Sequence, residues 1–299
     1  MHSKNDSQNI GKLQLEPTAA LVMQWALRLY NEEATLRFIN RMDLSSGDNL
    51  YCKCNSACEW YEEIILNRKS FIKYLIEREL STAKQEYQMV ILAAGKSPLT
   101  IEILSKHSPK VHSIFEVDIA GMEEKKSLYL ELFPEFQGKL ECINANIASP
   151  DILGIIDSLN IGYRHDLPVI ILIEGISYYL QKQELKDIIA SFQKEKKCIF
   201  IIEYLVPYQY VNRSRISIPK DIFRIIHEDC GLDSINSYTK EELRSFFREN
   251  GGDLLASYSM ADMEMARTGT KTYFKNISDG WIECVVGLVG TPKTSHNTA

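Results

Sequence analysis

No run in the 299-residue chain approaches the ~18 consecutive apolar residues of a membrane-spanning helix. The longest runs, such as 169–173, are strand-sized. A membrane partner is therefore not expected. The first residues, Met1-His-Ser-Lys-Asn-Asp6, carry no apolar stretch of the secretory type, and the nearest one, 19–29, is broken by Gln24 and Arg28. That points to a cytoplasmic protein. Basic charge is also in short supply. Lys and Arg number 34 against 40 Asp and Glu, and a net charge of −6 gives no attraction to a phosphate backbone, so nucleic acid is not an expected partner. The seven cysteines form an odd set that, without an export signal, fits reduced thiols better than a disulfide framework. Cys52, Cys54 and Cys58 do cluster, but no fourth ligand or second cysteine pair completes a zinc knuckle, and no metal is expected. The six histidines are scattered, and neither a Ser/His/Asp nor a Cys/His set is recognisable.

What is present is ordinary globular material, 45% hydrophobic and 25% charged. Residues 1–85 read as helical, and they suggest a cap over the rest of the chain. Within 58–80, Trp60, Tyr61, Ile64, Ile65, Phe71, Ile72, Leu75 and Ile76 recur at spacings of three and four, the stripe of an amphipathic helix. An earlier helix is expected over 18–42, with a turn at 45–49. From Tyr87 the period changes. Apolar runs at 89–94, 111–117, 140–145, 169–173 and 198–202 alternate with helix-like stretches such as 98–107, 122–133 and 182–192. This predicts a parallel sheet with helices on both faces. Residues 206–238 show no long regular pattern and suggest an insertion lying over the sheet. Thr239-Lys-Glu-Glu242 is a capping-box start to a helix, and 253–258 and 281–289 read as two further strands. The domain thus spans 86–290, with a loose polar tail at 291–299.

In an open parallel sheet, ligands lie outside the carboxyl ends of the strands. Those ends here are Ala94-Gly95-Lys96-Ser97-Pro98, Glu116-Val117-Asp118, Asn144-Ala145-Asn146, Glu174-Gly175 and Glu203-Tyr204. The first turn lacks G-x-G-x-x-G, and Pro98 removes a helix N–H donor, so a pyrophosphate is poorly provided for. An adenosine without phosphate, as in S-adenosylmethionine, needs only one close backbone approach, which Gly95 can supply. Asp118 follows Gly95 by 23 residues, near the ~20-residue spacing at which an acid on the second strand meets a ribose diol. Glu116 is expected to turn to the opposite side of the strand, leaving Asp118 to face the crevice. Arg68 falls inside the apolar stripe of its helix, where a guanidinium requires an anion. That anion is either a structural Asp or Glu or the carboxylate of an amino-acid-like ligand. For the rest of a substrate, Tyr208, Tyr210, Arg213 and Arg215 in the insertion are candidates to hold a carboxylate.

Three strings, Gln88-Met-Val-Ile-Leu-Ala-Ala-Gly95, Ile114-Phe-Glu-Val-Asp118 and Ile173-Glu-Gly-Ile-Ser-Tyr-Tyr-Leu180, come after Leu66-Asn-Arg-Lys-Ser-Phe-Ile72 in order. Together they resemble the class I methyltransferases of the leucine carboxyl methyltransferase family over roughly 60–290. The resemblance implies a Rossmann-like seven-stranded, mostly parallel sheet whose last strand is antiparallel, with an N-terminal helical cap. It implies S-adenosylmethionine as cofactor, held by Arg68 at the methionine carboxylate, by Ala94 and Gly95 beneath it, and by Asp118 at the ribose. Asn146 and Ile147 would meet the adenine, and Glu174 would lie near the amino-acid end. Tyr178 and Tyr179 would border the substrate pocket, with no catalytic residue required beyond positioning. The family often has a second glycine where this chain has Ala93, and an Asp-Leu pair where it has Asn146-Ile147. The reaction implied is in-line methyl transfer to a carboxylate, already ionised at neutral pH, on a small metabolite or peptide. An NAD-type oxidoreductase and a non-catalytic protein of methyltransferase shape are the competing readings.

Overall fold

A computed structural model describes residues 12–231 and 235–290. The first eleven residues, the expected loose tail at 291–299 and three residues of the expected insertion lie outside that range. Seven strands form one sheet: β1 Tyr87–Leu92, β2 Val111–Asp118, β3 Leu140–Asn144, β4 Val169–Ile173, β5 Cys198–Leu205, β6 Asp253–Tyr258 and β7 Ile282–Val289. Their spatial order is β3-β2-β1-β4-β5-β7-β6. The first five pair in parallel; β7 runs antiparallel to both β5 and β6, so the last strand in the chain is the reversed one. Every residue of β1, β4 and β5 is buried. That is the consequence of helices on both faces, and it explains why these strands read as unbroken apolar runs rather than alternating ones. Two separate cores result, one on each face, and the cap's apolar residues belong to only one of them.

The chain leaves β1 outward through β2 and β3, then returns to β4 on the other side of β1. That reversal opens a crevice between the carboxyl ends of β1 and β4, where neighbouring connections diverge. The cap roofs it. Helices α1 Pro17–Ala26, α2 Glu33–Ile39, α3 Asp48–Ala57 and α4 Glu62–Thr82 precede the sheet. The single helix expected over 18–42 is in fact two. Tyr30 and Glu32 take extended backbone, which lets α1 pack on α3 and α4 while α2 packs on the sheet helices α5 Leu99–His107 and α6 Met122–Leu132. A straight rod would reach only one of these surfaces. The stretch expected as a turn at 45–49 is a 3₁₀ turn running directly into α3.

The remaining helices are α7 Ile152–Ser158, α8 Lys182–Ser191, α9 Ser217–Cys230, α10 Lys240–Glu249 and α11 Met260–Thr268. The insertion is therefore more regular than its sequence suggested. Ile222, Phe223 and Ile226 at spacings of one, three and four make α9 amphipathic, and Gly231 at φ 67° ends it. Asp229 of α9 ties back to the cap through Lys53 at 2.7 Å and Asn49 at 3.0 Å. No helix among the described residues is long and apolar enough to cross a membrane. All seven cysteines are free thiols.

Candidate active site

A cavity of about 1040 Å³ lies at the carboxyl end of the sheet, beneath the cap. Of the residues expected at a cofactor site, Arg68, Ala94, Gly95, Asp118 and Glu174 line it, as do Tyr178 and Tyr179. The turn after β1 explains the glycine. Gly95 sits at φ 51°, and a Cβ there would meet nothing within 4 Å, so its backbone faces open cavity. Ala93, also a wall residue, holds φ 55°, a left-handed conformation that an alanine adopts only under strain. The chain thus takes the local geometry that a glycine would make easier at a position where it has none.

Asp118 ends β2. Its Oδ2 accepts the Gly95 N–H at 2.8 Å and its Oδ1 accepts the Ile119 N–H at 2.7 Å, which aims the carboxylate while leaving a lone pair on each oxygen. Ile119 is a cavity residue that the sequence reading missed. It is 73% exposed directly beside that carboxylate. The expectation that Glu116 turns away is corrected: it lines the same cavity, because residues two apart on a strand share a face. Glu116 is spent on structure. It is buried against Lys125 at 2.7 Å and accepts from Thr100 at 2.6 Å and Tyr129 at 3.2 Å.

Arg68 comes from the buried face of α4 and is 5% exposed. Its Nη1 donates to Glu203 at the end of β5 at 2.7 Å and to the Tyr178 hydroxyl at 3.4 Å; Glu203 also accepts the Gly175 N–H at 3.0 Å. Glu203 is the structural carboxylate that the sequence reading allowed for Arg68. Even so, Nε of Arg68 is buried with no hydrogen-bond partner among the described residues. The next residue, Lys69, pairs with Glu174 at 2.9 Å and was also missed. Neighbouring cations on α4 thus meet the acids that end β4 and β5. Burial alone would push the Glu174 carboxyl up, but Lys69 and then Arg68 bring it below its ordinary range, so it remains ionised.

Two expected positions do not reach the cavity. Asn146 is exposed and its Oδ1 accepts from the Ala148 N–H at 3.0 Å, while Ile147 is buried in the opposite core. None of the four substrate candidates lines the cavity either. Arg215 lies over the Trp60 ring at 5.1 Å and Arg213 is exposed. Tyr210 is 56% exposed, and Tyr208 packs beside Lys220. Instead, the insertion presents Phe223 and Ile226, and the cap presents Trp25 and Tyr61. The signal for Phe223 and Ile226 was the helical spacing within α9, hidden by the prolines and tyrosines before it.

A doubly wound sheet with one reversed strand and a roofed crevice at the switch point defines a Rossmann-like α/β fold of the methyltransferase kind. Two solved structures share it over nearly the whole chain: a candidate methyltransferase from Thermobifida fusca YX (TM-score 0.65, 12% identity, 96% of this chain and 98% of that one) and a DUF574 family protein from Streptomyces avermitilis MA-4680 (TM-score 0.63, 11% identity, 92% and 98%). At such identities the likeness is one of fold. Functionally curated proteins return no match. The profile of the leucine carboxyl methyltransferase family matches residues 24–193, more than half of the chain. The chain belongs to that family, and it is an S-adenosylmethionine-dependent methyltransferase.

Proposed function

We propose that the cavity binds S-adenosylmethionine along the carboxyl ends of β1, β2 and β4 and that the acceptor is a carboxylate on a small molecule or peptide. Three features support the cofactor fit: the Cβ-free backbone of Gly95, the aimed carboxylate of Asp118, and the buried, unpartnered Nε of Arg68. In this reading Asp118 takes the ribose hydroxyls, Ile119 covers the adenine, and Arg68 with Lys69 and Glu174 holds the amino-acid end. Asn146 and Ile147 are left with local structural roles. Bound there, the cofactor supplies a methyl group on a sulfonium; its transfer to a carboxylate oxygen forms one O–C bond, breaks one C–S bond and leaves that electron pair on sulfur, with no proton to move.

The observation that carries the choice of acceptor is the set of side chains around the transfer space. Among the described residues no histidine lines the cavity. Burial pushes the Tyr178 phenol up to about 12 and those of Tyr61 and Tyr179 higher still, so all three keep their protons at neutral pH. They serve as hydrogen-bond donors, not bases. Neither an imidazole nor a phenolate is on hand to take a proton from an acceptor, whereas a carboxylate arrives ionised. Seven free thiols suit a reducing, cytoplasmic setting.

Calorimetric titration with S-adenosylmethionine, S-adenosylhomocysteine and NAD tests the cofactor. Binding of the first two but not the third is expected, and Arg68→Ala should weaken it at least tenfold. Labelled methyl donor offered with carboxylic acids, phenols and amines tests the acceptor. Transfer to phenols or amines alone would overturn the carboxylate reading.

A further inference from the structure

The cavity stands at the top of the size range of ligand sites. Sites for a single drug-sized molecule run to roughly 300–1,000 Å³, and this one reaches about 1040 Å³. Its lining combines two chemistries. One is that of Gly95, Asp118, Lys69 and Glu174, the groups assigned to the cofactor. The other is that of rings from four separate parts of the chain: Trp25 of α1, Tyr61 at the start of α4, Tyr178 and Tyr179 after β4, and Phe223 of α9. These rings touch in two sets. Trp25 and Tyr61 have centroids 4.9 Å apart, while Tyr178 lies 4.7 Å from Tyr179 and 5.4 Å edge-on from Phe223. Ile226 adds an aliphatic surface.

Trp25, Tyr61 and Phe223 are 2%, 6% and 6% exposed, so each ring is fixed by the core around it and offers only an edge to the cavity. The cover is α1 on one side and α9 on the other, the latter anchored to α3 through Asp229. Tyr178 belongs to both chemistries: its hydroxyl accepts from Arg68 at 3.4 Å, which leaves its own proton for an oxygen of the acceptor.

Resting on the proposed carboxylate methylation, we propose that the acceptor is a small monocarboxylic acid with a planar aromatic or bulky apolar body that lies against these rings, its carboxylate meeting the Tyr178 hydroxyl. Buried rings of this kind favour flat apolar partners, since apolar area is removed from water and ring contacts add to it. A hydrophilic acid would exchange water for faces that offer it no hydrogen bonds.

The test compares methyl-ester formation, read by mass spectrometry, on three acceptors with S-adenosylmethionine saturating: 2-naphthoic acid, succinic acid, and a short peptide ending in leucine. The expected kcat/KM is at least tenfold higher for the aromatic acid than for either of the others. Phe223→Leu, which keeps apolar volume, should raise KM for the aromatic acid several-fold with S-adenosylmethionine affinity within twofold of the parent; that affinity also reports that the fold is intact. Equal or better ester formation on succinate or the peptide overturns this acceptor assignment while leaving carboxylate methylation standing. An unchanged KM in Phe223→Leu likewise overturns it. No ester on any of the three, with cofactor still bound, removes both readings.

Discussion

Replacing one member of the Arg68–Glu203 pair is expected to unbalance the site more than replacing both. The two are 2.7 Å apart with side-chain exposures of 6% and 0%, so neither charge has water to fall back on. Removing one partner of such a pair costs about 3–5 kcal/mol, while removing both together is often near neutral. In Glu203→Gln the guanidinium stays charged and retains only Glu174 as a nearby acid, which places the expected loss near about 3 kcal/mol. With a urea slope near ~3 kcal/mol/M, the unfolding midpoint should fall by roughly 1 M. Arg68→Met should behave differently with pH. Burial raises the Glu203 carboxyl, and Arg68 is what pulls it back; without Arg68 its folded-state affinity for a proton exceeds the unfolded value of about 4.3. A raised carboxyl favours the folded state at low pH, so the Arg68→Met penalty should shrink as pH falls from 8 toward 5. The Glu203→Gln penalty should run the other way and shrink as pH rises, since the carboxyl that burial holds above its ordinary range in the parent is absent from the variant. The double variant should recover most of the loss, a coupling of about 2 kcal/mol or more. Urea titrations of the three variants at pH 5 and 8 provide the measurement. Strictly additive losses, or single-variant midpoints unmoved, would refute the view that this pair is a buried, mutually dependent unit.

Substitutions in the turn after β1 should have opposite signs. Gly95→Ala places a side chain at φ 51° and should cost about 1–2 kcal/mol while weakening S-adenosylmethionine binding by calorimetry. Ala93→Gly relieves φ 55° and should be neutral to about 1 kcal/mol stabilising; a clear loss would mean that Ala93 is not strained. Asp118→Asn should weaken cofactor binding at least tenfold, and a parental dissociation constant would remove its ribose role. At a distance from the site, the hydrogen bond to Glu195 raises His165, with Asp157 assisting. A raised histidine stabilises the fold below its unfolded value of about 6.5 and loses that contribution as pH rises through the folded one. The thermal midpoint of His165→Gln should therefore fall below the parent at pH 5.5 and converge with it by pH 8.5; equal gaps at both would show that the ion pair does not matter.

Local chain chemistry determined a good deal here. The alternation of apolar runs with amphipathic stretches locates the five parallel strands to within a few residues, because burial on both faces leaves β4 wholly apolar and β1 and β5 nearly so. The same logic places Arg68 on a buried helix face and Gly95 and Asp118 at strand ends. Tertiary structure decided the rest. Whether a side chain at a strand end lines a cavity depends on its face and on what packs beneath it, and so Glu116 went to Lys125 while Asp118 remained at the rim. Asn146 closed on its own backbone and Arg215 settled over Trp60. The aromatic part of the cavity lining is assembled from Trp25, Tyr61, Tyr178 and Phe223, which are far apart in the chain. Only the packing of cap and insertion over the same sheet edge makes them neighbours, and sequence periodicity, which reports on one element at a time, carries no information about which elements will meet.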